Sequence, residues 1–123
     1  MTDLLTWDEI DEIVAKTKNG GAEIVSYLKT GSAYYAPAKA TSIMVEAILK
    51  DTKQIYPCAV MLQGEYGYSD IVSGVPVMLG AGGAEKVIEA NLNEEQAGRF
   101  SKSVASVQEL FDALHKHKFF ENK

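Results

Sequence analysis

The amino-acid sequence predicts an α+β fold in which long helices flank a three-stranded antiparallel meander. Apolar residues recur in steps of three and four near both ends of the chain, and short apolar runs separated by glycine-rich turns fill its middle. The composition, 46% hydrophobic and 24% charged, is ordinary for a globular protein. The predicted order is helix, helix, three strands, helix. A chain of 123 residues suffices for one domain with one core.

The first helix is predicted to begin at a capping box formed by Thr6 and Glu9. Its apolar positions form a stripe that we expect to be buried. The stripe comprises Ile10, Ile13, Val14, Thr17, Gly21, Ile24, Val25 and Leu28. Asn19-Gly20-Gly21 are poor helix formers, but the stripe stays in phase across them. We therefore predict one long helix, kinked or unkinked at the glycines; two separate helices are the alternative.

Thr30-Gly31-Ser32 separates this helix from a second one. Pro37 fits the first turn of the second helix, because the amide hydrogen that proline lacks would have no partner there. The predicted buried face of the second helix comprises Ala40, Ile43, Met44, Ala47 and Ile48. The small residues near its start predict tight packing.

Three strands are predicted at residues 55–62, 71–79 and 87–92, with turns at 64–68 and 80–83. Pro57 indicates an edge position or a bulge in the first strand. Asn93 is a predicted N-cap of the last helix. The apolar stripe of that helix comprises Ala97, Phe100, Val104, Val107, Phe111 and Leu114. The basic tail, residues 115–123, is expected to fray.

Charge and cysteine usage exclude several classes of protein. The net charge is −5 without a dense basic cluster, so we expect no binding to nucleic acid. No apolar stretch reaches the roughly 20 residues that span a bilayer, and an acidic N-terminal segment is unlike a signal peptide. The single cysteine, Cys58, lies in an apolar run and is predicted to be a buried, inert thiol. We therefore expect a cytoplasmic protein without a membrane partner.

Residues with catalytic potential are few. A phosphate-binding loop at residues 80–83 would need a glycine where Glu85 stands and a helix after it, so a hairpin turn is favoured. His115 and His117, two positions apart, point to opposite sides of a helix and cannot chelate one ion. No metal site is expected. For Glu65, Tyr34 and Tyr35, roles in a solvated turn and in packing at a helix start are favoured over ligand binding.

Ser32 is the most interesting position. It lies between a helix C-terminus and a helix N-terminus, where its hydroxyl and the free amides of the second helix suit a carboxylate ligand. A simple N-cap is the alternative, and the residues alone favour it. From the residues alone, the chain is an α+β domain without a self-sufficient active site.

Three stretches of the chain, taken together and in order, resemble the lactate-dehydrogenase-like malate dehydrogenases. The first comprises residues 20–25 (GGAEIV) and 29–38 (KTGSAYYAPA). The second comprises residues 64–68 (GEYGY) and 74–80 (GVPVMLG), and the third residues 101–107 (SKSVASV) with the Glu-Leu pair at 109–110. The resemblance extends from about residue 6 to about residue 114.

The resemblance implies that residues 1–123 are the partial C-terminal, substrate-binding domain of a dehydrogenase whose nucleotide-binding domain is absent from this chain. The reaction it implies is reversible hydride transfer between L-malate and NAD, which gives oxaloacetate and NADH. The family's histidine–aspartate pair and its substrate-binding arginines lie upstream of the matched segment, and Arg99 is not at a matching position. We therefore expect no catalytic residue in this chain, which should be inactive alone, and NAD bound mainly by the absent domain.

The resemblance also identifies candidate site residues. Ser32 matches the family's small hydroxyl position beside the substrate and nicotinamide, Ala36 and Pro37 match the helix start that lines the nicotinamide side, and Gly31 matches the break that places them. The family implies a homo-oligomer, a dimer or a tetramer. The alternatives are a fragment of an L-lactate dehydrogenase and a non-catalytic interaction module that reuses the fold.

Overall fold

A computed structural model of the chain describes residues 4–117 and 119. The helices are α1 (Trp7–Leu28), α2 (Tyr35–Leu49) and α3 (Glu94–Lys116), and the strands are β1 (Gln54–Gln63), β2 (Ser69–Gly80) and β3 (Gly83–Val87). The predicted α+β class and element order are confirmed. The chain divides into two compact units, Met1–Ile43 and Met44–Lys123.

Helix α1 begins at the predicted capping box. The Thr6 hydroxyl accepts a hydrogen bond from the Glu9 amide at 3.3 Å, and the Glu9 carboxylate accepts one from the Thr6 amide at 2.8 Å. The helix runs without interruption through Gly20 and Gly21, as the unbroken phase of its apolar positions predicts. The expectation of a single long helix is therefore confirmed.

The prediction that the stripe of α1 is buried is wrong for this chain. No residue of α1 is buried, and Ile13, Val14, Ile24, Val25 and Leu28 are all exposed to at least 38%. Within the described part of the first unit, α1 is the single complete element, so the unit itself supplies no second surface for the stripe. A periodic pattern identifies the apolar face of a helix but not what covers it.

The predicted buried face of α2 is only partly correct. Ala47 is buried in the core and Ile43 and Ile48 are half-buried, but Ala40 and Met44 are exposed. Ala40 belongs to the first unit and not to the unit that contains the sheet, which begins at Met44; Met44 is exposed although it belongs to that unit. The helix also begins two residues earlier than Pro37, at Tyr35.

The three strands form one antiparallel sheet in the order β1-β2-β3. Pro57 of β1 lies opposite Pro76 of β2. The Pro76 carbonyl accepts from the Ile88 amide at 2.8 Å, so the backbone of Pro76 points away from β1. Pro57 and Pro76 therefore form no hydrogen bond with each other, and the backbone nitrogen of Pro57 faces the open edge of the sheet, where no N–H donor is needed. The predicted edge position of Pro57 is confirmed.

One face of the sheet carries the hydrophobic core. The buried residues are Cys58 and Leu62 of β1, Ile71, Ser73, Val75, Val77 and Leu79 of β2, Ala47 of α2 and Val104 of α3. The strand residues alternate along β1 and β2, as expected for a sheet that packs on one face. Phe100 and Val107 of α3 pack against this cluster, whereas Phe111 and Leu114, which belong to the same predicted stripe, are exposed.

The third strand is shorter and earlier than predicted. Strand β3 spans Gly83–Val87, and residues 88–92 are irregular. The ladder stops because Pro76, the next partner on β2, has no N–H to return the hydrogen bond from Ile88. Beyond the end of β3, the Tyr66 hydroxyl pairs with the backbone in place of a strand. It donates to the Ile88 carbonyl at 3.1 Å and accepts from the Ala90 amide at 2.8 Å.

Helix α3 begins at a capping box of Asn93 and Gln96, which confirms the predicted N-cap. The expectation of fraying is wrong for His115 and Lys116, because the helix continues through both and ends at His117. Basic side chains in a last helical turn interact favourably with the helix dipole. Phe119 lies in a turn, and its amide donates to the Leu114 carbonyl at 3.1 Å. Residue 118 and residues 120–123, which the prediction also covers, lie outside the described residues. None of the three helices, over the part that the structure describes, has the length and apolar character that crossing a bilayer requires.

Candidate functional site

The candidate site lies in the connection between α1 and α2. Helix α1 ends at Leu28 and is capped by Lys29, whose backbone has a positive φ of 61° and whose amide donates to the Val25 carbonyl at 3.0 Å. Gly31 follows with a φ of 97°, a conformation that L-residues rarely adopt. The predicted break at Gly31 therefore turns the chain sharply before α2 begins.

Ser32 is exposed and lies three residues before the first residue of α2. It is therefore not in the N-cap position, and the simple N-cap interpretation is wrong. Its carbonyl accepts a hydrogen bond from the Tyr34 amide at 2.9 Å. Among the described residues, the structure gives the Ser32 hydroxyl no hydrogen-bond partner.

Ala36 and Pro37 are the second and third residues of α2, and both are exposed. Proline is tolerated there because the amides of the first turn have no partner within the helix. Together with Gly31 and Ser32 they occupy one short, uncharged, solvent-accessible stretch of the chain. The sequence alone places these four residues close together, and the structure adds how the turn between them is held.

Tyr34 and Tyr35 differ, although both were expected to pack at the helix start. The ring of Tyr34 lies against Gly31, on the side where an L-residue would carry its Cβ. Tyr35 is 88% exposed. The expected packing therefore holds for Tyr34 and not for Tyr35.

The remaining sequence candidates have structural roles. The Glu65 carboxylate accepts from the Gln63 amide at 2.6 Å, and this backbone hydrogen bond lowers the pKa of Glu65. Cys58 is buried as predicted, and desolvation raises the pKa of its thiol, which keeps it protonated and unreactive. The ring of His115 contacts the ring of Phe111 edge-on, with ring centroids 4.7 Å apart. Within residues 4–117 and 119, no three His, Cys, Asp or Glu side chains form a group that could hold a metal.

The glycine turn at residues 80–83 is a hairpin, as predicted, because β3 and not a helix follows it. Lys53 forms ion pairs with Asp51 at 2.9 Å and with Glu85 at 2.5 Å. The two carboxylates also accept hydrogen bonds from the turn amides of Ala81, at 2.7 Å, and Gly82, at 3.1 Å. We name Asp51, Lys53 and Glu85 the ion cluster. Sequence reasoning missed it because its members are up to 34 positions apart along the chain, with no local pattern.

A cleft of about 350 Å³ lies beside the start of α3. It is lined by the rings of Tyr66, Tyr68 and Phe100 and by residues 90–92 and 97. Phe100 packs against Tyr66 with ring centroids 4.9 Å apart and against Tyr68 at 5.8 Å. The lining contains no carboxylate, amine or imidazole, so the cleft lacks the groups of an acid–base site.

Comparison with known proteins identifies relatives over nearly the entire chain. The sequence model of the family described as lactate/malate dehydrogenase, alpha/beta C-terminal domain, matches residues 2–121. A malate dehydrogenase of Sulfurimonas denitrificans is 68% identical over 121 residues, which is 98% of this chain and 38% of that protein. The chain thus spans about two-fifths of the length of this relative.

Solved structures agree. The malate dehydrogenase of Salinibacter ruber superposes with a TM-score of 0.90 at 44% identity, over 98% of this chain and 39% of that one. The lactate dehydrogenase of Eimeria maxima, solved with NADH and oxamate, superposes with a TM-score of 0.88 at 34% identity, over 99% of this chain and 38% of that one. The matched region is the same C-terminal part in each comparison. On these grounds the chain belongs to the lactate/malate dehydrogenase family and corresponds to its alpha/beta C-terminal domain.

Proposed function

We propose that this chain is the C-terminal part of the substrate-binding domain of an NAD-dependent malate dehydrogenase, an oxidoreductase that interconverts L-malate and oxaloacetate. The observation that carries the proposal is the 68% identity to a malate dehydrogenase over 98% of the chain. Malate is preferred to lactate because residues 33–37 and the turn with Tyr66 and Tyr68 resemble the malate branch of the family.

The proposed role of the chain is to form one wall of the pocket. Ser32, the first candidate, offers a hydroxyl that can donate a hydrogen bond to a substrate carboxylate or to the nicotinamide carboxamide. Ala36 and Pro37 offer small, uncharged surface against a planar ring, and Gly31 turns the chain so that these groups follow one another. When bound, NAD accepts or supplies the hydride.

These residues fit only the nicotinamide end of the cofactor. The exposed stretch from Gly31 to Pro37 is neutral and offers no cation for a pyrophosphate. The proton on the substrate hydroxyl and the charge of its carboxylate call for a base and an arginine, and the single arginine of this chain, Arg99, is paired with Glu95 at 2.5 Å on α3. We therefore propose that the 123-residue chain alone does not turn over substrate and that the rest of the pocket is supplied by sequence equivalent to the remaining part of its relatives.

A chimaera tests the proposal. The upstream part of the Sulfurimonas denitrificans malate dehydrogenase is joined to this chain in place of that enzyme's own C-terminal segment. We expect NADH-dependent reduction of oxaloacetate, monitored at 340 nm. An inactive but folded chimaera would count against the proposal and would favour the lactate dehydrogenase alternative, which the Eimeria maxima neighbour supports.

Ser32→Ala in the chimaera tests the site. Loss of one hydrogen bond to a charged substrate group costs roughly 1.5–3 kcal/mol, so kcat/KM for oxaloacetate should fall by roughly 10- to 100-fold. Ser26→Ala is the matched control, because the Ser26 hydroxyl donates to the Glu23 carbonyl at 2.6 Å within α1. Equal effects of the two substitutions would remove Ser32 from the proposed site.

The assembly and the location of the protein are further parts of the proposal. We propose a homo-oligomer, a dimer or a tetramer, in the cytoplasm; the exposed apolar stripe of α1 supports the first part. The denatured mass of the protein that carries this segment in the source cell tests the domain assignment. A band well above 13.4 kDa supports a complete dehydrogenase, whereas a band at that mass alone supports the interaction-module alternative.

A further inference from the structure

We propose that Tyr34 is a positioning residue for Ser32: its ring and its backbone amide together fix the turn that presents the Ser32 hydroxyl. This inference rests on the proposed role of Ser32 as a pocket residue. Tyr34 itself is not proposed to touch the substrate or the cofactor.

The first observation is the packing of the Tyr34 ring on Gly31. A Cβ built on Gly31 would lie 3.1 Å from Cζ and 3.2 Å from Cε2 of Tyr34, and the phenolic oxygen would be closer still. These distances are shorter than most real Cβ contacts, so the ring lies in the space that a side chain at Gly31 would enter. The φ of 97° is what favours glycine at this position, and the absent side chain leaves room for the tyrosine ring.

The second observation is the backbone of the same residue. The Tyr34 amide donates to the Ser32 carbonyl at 2.9 Å, and the Tyr34 carbonyl accepts from the Ala38 amide at 3.0 Å, in the first turn of α2. Tyr34 therefore connects Ser32 to the start of the helix. Gly31 contacts the Tyr34 ring, and the Ser32 carbonyl is bonded to the Tyr34 amide. Ser32 and the residue before it are therefore both held by Tyr34.

The turn depends on Tyr34 because Gly31 and Ser32 have few contacts of their own that would fix their conformation. Ser32 is exposed and Gly31 has a large conformational entropy to lose. The hydroxyl of an unsupported Gly-Ser turn samples many directions, whereas a productive hydrogen bond to a substrate needs one direction. The Tyr34 ring restricts the turn without adding a group to the pocket.

Tyr35 provides a matched control. It is adjacent, carries the same side chain and is 88% exposed, whereas Tyr34 is 60% exposed and packs on Gly31. Substitution of Tyr35 by alanine removes the same side chain one position later, at the first residue of α2, and leaves the Gly31 contact in place.

A double-mutant cycle in the chimaera separates positioning from general stability. We expect Tyr34→Ala to lower kcat/KM for oxaloacetate by about tenfold, mainly through kcat, and Tyr34→Phe, which keeps the ring over Gly31, and Tyr35→Ala to stay within about twofold. If Tyr34 acts through Ser32, the double variant Ser32→Ala/Tyr34→Ala is no slower than Ser32→Ala alone. Additive losses in the cycle overturn the proposal.

A second measurement uses the 123-residue chain itself and needs no activity. Backbone ¹⁵N relaxation gives order parameters for Gly31 and Ser32. We expect values near about 0.85 in the unsubstituted chain, in Tyr34→Phe and in Tyr35→Ala, and values below about 0.6 in Tyr34→Ala. Unchanged order in Tyr34→Ala overturns the proposal even if the enzyme is slowed. A chimaera that reduces no oxaloacetate refutes the proposed function instead, and the relaxation data then decide separately whether Tyr34 holds the turn.

Discussion

Helices α1 and α3 are nearly the same in local design and opposite in environment. They contain 22 and 23 residues, and each begins with a capping box. Helix α3 buries Val104 and packs Phe100 and Val107 on the sheet, whereas α1 buries no residue at all. The comparison teaches that capping and periodicity specify a helix, while the stabilisation it contributes depends on whether another surface covers its apolar face.

The largest difference should appear when the same substitution is made in both helices. Val104 is 6% exposed and Val14 is 39% exposed. Val104→Ala removes two buried methyl groups and leaves a cavity, which should lower the free energy of unfolding by about 2 kcal/mol. Val14→Ala, measured at a protein concentration low enough to keep the chain monomeric, should stay within about 0.5 kcal/mol, because the better helix propensity of alanine offsets the small loss of contact. Urea unfolding followed by circular dichroism measures both. Equal losses at that concentration would show that the stripe of α1 is covered within the monomer.

Self-association would remove the difference in burial between α1 and α3, because it would bury the stripe of α1. We expect the 123-residue chain to associate through that stripe, and Ile24→Glu to weaken the association about tenfold, since burying one aliphatic side chain contributes about 1.5 kcal/mol or more. Lys18→Gln gives the same change of net charge at an exposed position outside the stripe and serves as the control. Sedimentation equilibrium measures the association. A monomer at all concentrations, without binding of a hydrophobic dye, contradicts this expectation.

The capping boxes of α1 and α3 should differ in what their loss does to the protein. Thr6→Ala and Asn93→Ala each remove a side-chain acceptor from a helix N-terminus, at a cost of about 1 kcal/mol for the helix concerned. For α3, which packs on the sheet, the loss should appear in the cooperative unfolding of the core. For α1 it should appear as lower helix content at the N-terminus without a shift of that transition. Hydrogen exchange at single amides distinguishes the two outcomes.

The smallest effect concerns the ion cluster, which ties the loop after α2 to the β2–β3 hairpin. Hydrogen bonds with Lys53 lower the pKa of Asp51 and of Glu85, and those with Glu85 and Asp51 raise the pKa of Lys53. The carboxylates therefore contribute stability above about pH 4, which is lost as the pH falls through their lowered values; the Lys53 contribution is lost above about pH 10.4.

Lys53→Met tests this dependence. The difference in unfolding free energy between the unsubstituted chain and Lys53→Met should be constant from about pH 5 to pH 9 and should shrink progressively as the pH falls below about 4. Lys86→Met, which removes the same charge from β3, is the control. A difference that persists undiminished in acid would show that the Lys53 stem, and not its charge, supports the loop.

Local signals predicted most of the fold. Apolar spacing gave three helices, and the glycine turns gave two hairpins, because both patterns act over a few residues. The end of β3 was not predictable from its own sequence: residues 88–92 are apolar enough for a strand, but the ladder stops because Pro76 on the neighbouring strand lacks a donor. Likewise, burial of α1 depends on surfaces distant in sequence, which no periodicity encodes.

The position of the candidate site was predictable from the sequence, but the contacts that hold its turn in place were not. The residue types around Gly31 and Ser32 mark a break between two helices, and the family resemblance marks the same residues. The packing of Tyr34 on Gly31 depends on a side-chain direction set by the start of α2, two residues earlier than Pro37 suggests. The Asn93–Gln96 capping box, in contrast, was available from the sequence as a pair three residues apart.

The position of Pro57 in the edge strand β1 affects how readily the isolated chain forms fibrils at high concentration. Growth of a fibril by strand stacking requires a continuous row of donors and acceptors along the template. The open edge of β1 lacks a donor at Pro57, near the middle of its ten residues. An incoming strand can therefore bond to either half of β1 but not along its length, so the sheet is a poor seed even where its surface is apolar.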